Sequence, residues 1–160
     1  MVRHYKNHRE TWPGGFSRNE EDAKVLAENP LPPAGIDVKN YKVNGHEIDF
    51  NGHLKMAFRT DSHNQLVAFE GHQCEGVTVD GVTYTFSEAP IETIAFNQSA
   101  NSYEILVVGK GKVSIPVLLK TKKTFRLYDQ NNKRLKYTMN GNQIKFEVNA
   151  KTSGKWLTLK

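Results

Sequence analysis

Four glutamates, Glu70, Glu75, Glu88 and Glu92, are of the residue type that glycoside hydrolysis uses in pairs. Such pairs sit about 5 to 9 Å apart, and nothing in the spacing of these four singles one out. Cys74 has His72 two residues away but no third group to complete a nucleophilic triad, and no Gly-x-Ser-x-Gly elbow is present. His4 and His8 are spaced as two ligands on a helical face, and His72 and Cys74 as two ligands on one face of a strand. With one cysteine and no His-Glu-x-x-His motif, no metal centre is expected. Asp129-Gln130-Asn131-Asn132 carries oxygen ligands without the rest of an EF-hand loop. It reads as a hairpin turn, because Asp and Asn bond their own backbone. No cofactor is expected, with a structural calcium in some loop as the one alternative. Gly109-Lys110-Gly111 lacks the rest of a phosphate loop and also reads as a hairpin turn.

The aromatic residues offer binding chemistry instead. Flat rings beside an amide or carboxylate stack on the C–H faces of sugars while the polar groups take the hydroxyls. Trp12, in the loop Thr11-Trp12-Pro13-Gly14-Gly15-Phe16, and Tyr128, beside Asp129 and Asn131, are the glycan-binding candidates. Tyr5, Tyr41, Tyr84 and Tyr103 are scattered at strand ends or loops. Phe86, Phe125, Phe146 and Trp156 alternate with polar residues and are expected in the core.

The charge is divided unevenly. Residues 1–109 hold 9 Lys and Arg against 15 Asp and Glu, whereas residues 110–160 hold 13 against Asp129 and Glu147 alone, a balance of +11. A basic third invites a nucleic-acid reading. No recognition helix, aromatic RNA-binding motif or Arg cluster accompanies it, so attraction to an acidic polysaccharide, or to the acidic first two-thirds of the chain itself, fits as well and nucleic acid is not expected as a partner. The plain alternative is a set of solubilising, edge-guarding lysines.

At 160 residues, 38% hydrophobic and 24% charged, the chain has the size and composition of one globular domain with a short appendage. It is too short for a complete (β/α)₈ barrel. No apolar run reaches the roughly 20 residues of a membrane-spanning helix, so no membrane span is expected. The polar N-terminus lacks the apolar core of a signal peptide.

Residues 1–36 read as an extended and helical segment or linker. Ser17-Arg18-Asn19-Glu20 fits a capping box, Ala23, Leu26 and Ala27 make a narrow apolar face, and Asn29-Pro30 ends the helix. So small a stripe cannot form a core, and the segment is expected to pack on something else. From residue 37 to 160 the pattern is of about ten to twelve short strands with turn signals every 8–12 residues. Asn44-Gly45, Asp80-Gly81 and Asn140-Gly141 suit tight hairpins, whose central residues need positive φ. The expected fold is all-β, a two-sheet antiparallel β-sandwich with a short N-terminal helical extension.

Leu66-Val67-Ala68-Phe69-Glu70-Gly71 with Val77 to Ser87, and the ending from Phe125 to Leu159, resemble the non-catalytic β-sandwich accessory regions of multidomain glycoside hydrolases from gut bacteria of the Bacteroidetes type. The resemblance spans roughly residues 40–160 and transfers no functional residue. It implies a polysaccharide-degrading parent protein, periplasmic or extracellular, in which this domain supports the catalytic domain or binds glycan. Its expected partners are a polysaccharide or an adjoining catalytic domain. The alternatives are a small independent glycoside hydrolase or polysaccharide lyase, and a free-standing carbohydrate-binding or adhesion protein.

Overall fold

A computed structural model describes the backbone of residues 2–4 and residues 35–99, 102–118 and 125–160. The segment carrying Trp12 and the expected capped helix, together with Tyr5 and His8, lies outside the described residues. Every regular element that is described is a strand.

The described residues are all-β, in three sheets. The largest has eight strands, in the spatial order β1 (Val2–His4), β4 (Met56–Thr60), β5 (Leu66–Cys74), β8 (Ile91–Gln98), β9 (Tyr103–Val108), β15 (Trp156–Leu159), β11 (Leu127–Tyr128) and β12 (Arg134–Leu135). A four-stranded sheet orders β2 (Gly35–Val43), β3 (His46–His53), β6 (Gly76–Val79) and β7 (Val82–Thr85). A three-stranded sheet holds β10 (Gly111–Pro116), β14 (Gln143–Val148) and β13 (Thr138–Asn140). All pairs are antiparallel except β1 with β4.

Hairpin chemistry explains much of the local order. Asn44 and Gly45 adopt φ of 47° and 80° between the paired residues Val43 and His46, and Asp80 and Gly81 adopt 50° and 79° between Val79 and Val82. These are the two-residue turns whose twist matches that of the strands. The third turn is shifted by one residue: Asn140 pairs with Gln143, so Gly141-Asn142 makes the loop.

One buried cluster joins the three sheets. Phe69, Phe96, Tyr103 and Ile105 of the large sheet pack with Ile48, Phe50 and Val77 of the four-stranded sheet and with Val113, Ile115, Ile144 and Phe146 of the three-stranded sheet. Phe69 is its hub, with ring centroids 4.9 Å from Phe86, 6.2 Å from Phe50 and 6.2 Å from Phe96. The phenol of Tyr103 donates to the carbonyl of Pro116, and the amide of Leu118 donates to Gln98 Oε1 at 2.9 Å. Both bonds tie the large sheet to the end of β10.

Three expectations need correction. Gly109-Lys110-Gly111 does not turn a hairpin, because β9 pairs with β8 and β15 while β10 pairs with β14; the glycines, at φ of 138° and 123°, carry the chain from one sheet to another. The two expected sheets are three among the described residues, and the chain changes sheet within a few residues: Arg134 and Leu135 pair with β11, and Thr138 to Asn140 pair with β14. Trp156 is outside the buried cluster, because Leu157 and Leu159 take the inward positions of β15 and alternation turns Trp156 to the opposite face, beside Leu106.

Candidate functional site

The carboxylates named from sequence differ in burial. Glu70 is buried on β5, on the face opposite Phe69, where its cross-strand neighbours are Ala57 and Ala95. Its Oε1 lies 3.0 Å from His72 Nε2 and 3.3 Å from Lys55 Nζ, and its Oε2 has no hydrogen-bond partner among the described residues. His72 Nδ1 is 2.9 Å from Thr93 Oγ1, so Thr93, His72 and Glu70 form a chain across β5 and β8. Glu75, Glu88 and Glu92 are exposed. The carbonyl of Glu75 receives the amides of Phe86 and Ser87, which fixes the chain leaving β7.

His72 and Cys74 do not meet as a ligand pair. Gln73 has a φ of 49°, which breaks the alternation, so His72 bonds Glu70 while Cys74 enters the core. Burial first, and the charge of Glu75 second, push the Cys74 thiol from an ordinary 9.0 to about 12. No group of three or more His, Cys, Asp or Glu able to hold a metal occurs among the described residues.

Of the glycan candidates, Trp12 lies outside the described residues. Tyr128, Asp129 and Asn131 stand together at the β11–β12 hairpin. Asp129 Oδ1 accepts the amides of Asn131 at 2.9 Å and Lys133 at 2.8 Å, the turn role read from its sequence. Lys160 Nζ lies 5.3 Å from the centre of the Tyr128 ring and 3.1 Å from Asn132 Oδ1. Tyr103 is fully buried and the Tyr84 hydroxyl accepts the amide of Leu66, so both serve the fold; Tyr41 is exposed.

The hairpin borders a feature that sequence reasoning missed, an open groove of about 1370 Å³ where the three sheets meet. Its floor is the outward face of β10 and β14, continued by the chain after β7, since Ser114 N donates to the carbonyl of Phe86 at 2.8 Å. Register sets its chemistry. Lys145 stands between Ser114 on one neighbouring strand and Thr138 on the other, and Lys112 stands opposite Glu147. Ser114 Oγ donates to Gln143 Oε1 at 2.7 Å. Thr83, Thr85, Ser87 and Glu88 form one bank, and Arg134 to Tyr137 the other. Tyr137 is half-buried with its hydroxyl bonded to the carbonyl of Phe125, which holds the ring in the bank. The signal available in sequence was the +11 balance of residues 110–160, which supplies all four groove cations.

No helix among the described residues is long and apolar enough to cross a membrane. Comparison with protein-family models, with curated proteins and with solved structures gives no match to this chain.

Proposed function

We propose that this chain is a non-catalytic β-sandwich domain that binds glycan, acting as an accessory domain of a secreted bacterial polysaccharide-degrading enzyme. The single observation that carries the binding reading is the groove between Thr83 and Tyr137. It is open, its lining includes the hydroxyls of Thr83, Thr85, Ser114 and Thr138 and the amide of Gln143, and the Tyr137 ring is fixed by the bond of its hydroxyl to Phe125. Hydroxyls and amides satisfy sugar hydroxyls, and a fixed ring loses little entropy on stacking. A sandwich arrangement is part of the same proposal, supported by the Phe50–Phe69 contact between the four-stranded and the large sheet and by the single buried cluster to which all three sheets contribute.

Titration of the isolated chain against a panel of plant and host polysaccharides tests this reading. Binding is expected, to be lost in Tyr137→Ala and weakened in Gln143→Ala, with folding verified by circular dichroism. Gln143 is half-exposed, so its variant keeps the test informative if Tyr137→Ala unfolds. Absence of binding to every polysaccharide overturns the glycan reading.

One observation favours a hydrolase as the second reading: Glu88 and Glu147 both line the groove. Release of reducing ends that disappears in Glu88→Gln or Glu147→Gln would replace the non-catalytic reading by this one.

A further inference from the structure

Within that glycan-binding reading, on which this inference rests, we infer that the groove selects anionic polysaccharides, with Lys145 as the central contact for a carboxylate or sulfate group. The groove presents Lys112, Arg134, Lys136 and Lys145 against Glu88 and Glu147. None of the four cations takes part in an ion pair with a described residue; the ion pairs present involve Lys39, His46, Lys55 and His72. A protein that needed lysines only for solubility would gain nothing from gathering four of them around one concavity, where like charges repel. An anion bound there relieves that repulsion and offsets the excess of four cations over the two carboxylates Glu88 and Glu147.

The strand register makes Lys145 the centre. Lys112 faces Glu147 across the β10–β14 pair, so part of its field is cancelled. Lys145 faces Ser114 and Thr138, two neutral hydroxyl residues, and lies within one strand spacing of each. The Ser114 hydroxyl is already donated to Gln143 Oε1, so the Lys145 ammonium and the Thr138 hydroxyl are the donors offered to an anionic oxygen, and charge-assisted bonds such as the ammonium makes are the stronger ones. Arg134, on the opposite bank, adds a planar fork suited to two oxygens of one anionic group. Four cations around one open groove offer several contacts to a polymer that carries many charges. A single small anion would use one of them.

The test compares the intact chain with polygalacturonate, whose charges are carboxylates, with a sulfated galactan, whose charges are sulfate esters, with a neutral mannan, and with duplex DNA. Affinity for at least one anionic glycan is expected to exceed that for mannan by about tenfold or more. It is expected to fall by about tenfold between roughly 50 and 200 mM salt, as screening shortens the reach of the cations. Lys145→Gln should weaken anionic binding several-fold, and Lys145→Arg should restore most of it. Lys151→Gln, an equal loss of charge in an exposed turn outside the groove, should change nothing. The preferred anionic polymer identifies the group as carboxylate or sulfate. Mannan bound as tightly as the anionic glycans overturns the inference and leaves the glycan reading standing. Equal losses in Lys145→Gln and Lys151→Gln overturn the assignment of the central contact. Binding of DNA as tight as that of the best glycan overturns the choice of ligand class. No binding to any glycan overturns the parent reading itself.

Discussion

Cys74 and Glu70 show how neighbours in one strand acquire opposite properties. Sequence spacing pairs Cys74 with His72, yet a single positive φ at Gln73 sends Cys74 into the core, where burial first and the charge of Glu75 second raise the pKa of its thiol to about 12. Below pH 9 the thiol is protonated in folded and unfolded chains alike. Above that value the unfolded thiol ionises while the folded one keeps its proton. Stability therefore falls as pH rises from 9 to about 12, by up to about 1.4 kcal/mol per pH unit. Urea midpoints measured across this range should show the decline, and Cys74→Ala should make it shallower; the buried Tyr103 phenol, which burial also holds well above its ordinary 10.0, keeps part of the decline above pH 10. A native thiol that reacts with a disulfide reagent at pH 8 as fast as the unfolded one would contradict the burial. Glu70 is read differently. Its Oε1 serves both His72 and Lys55, so Glu70→Ala is expected to cost about 1–3 kcal/mol in urea unfolding, because two donors lose their shared charged acceptor.

At the scale of elements, the strands facing the groove depend on close backbone approach and on turn chemistry. A Cβ at Gly76 would lie 2.0 Å from the carbonyl oxygen of Tyr84 on β7. Gly76→Ala must push β7 away from β6, with an expected loss of about 1–3 kcal/mol. Because β7 leads into one bank of the groove, glycan affinity should fall with it, measurable in the same titration. On the other bank, Asp129→Ala removes the acceptor of two backbone amides in the β11–β12 hairpin that carries Arg134. About 1–2 kcal/mol of destabilisation is expected, and thermal denaturation checks it. Gly109 and Gly111 illustrate an element that local reading mistook. Two glycines around a lysine suit a hairpin, but they equally suit a crossover, and only the pairing of β10 with β14 distinguishes the two.

For the whole molecule, the described core begins at Ile36 and draws on all three sheets. Among the described elements, removal of residues 1–34 takes away only β1, a three-residue edge strand. The shortened chain is expected to unfold in one cooperative calorimetric transition, and a loss of folded structure would show that the N-terminal segment belongs to the core. The alternating runs, the Asn44-Gly45 and Asp80-Gly81 turns and the basic C-terminal third were legible in sequence, because each is set by neighbours a few residues apart. Period-two patterning tells which residues of a strand turn inward, and an Asn-Gly pair names its own turn. The assignment of strands to sheets was not legible. Leu135 and Thr138, three residues apart, join different sheets through partners far along the chain. The groove is a consequence of that assignment: its cations come from residues 112, 134, 136 and 145, and its other bank from residues 83–88. Local sequence set the charge and the hydroxyls, but only non-local pairing, in which each strand competes for edges of similar local energy, brought them around one cleft.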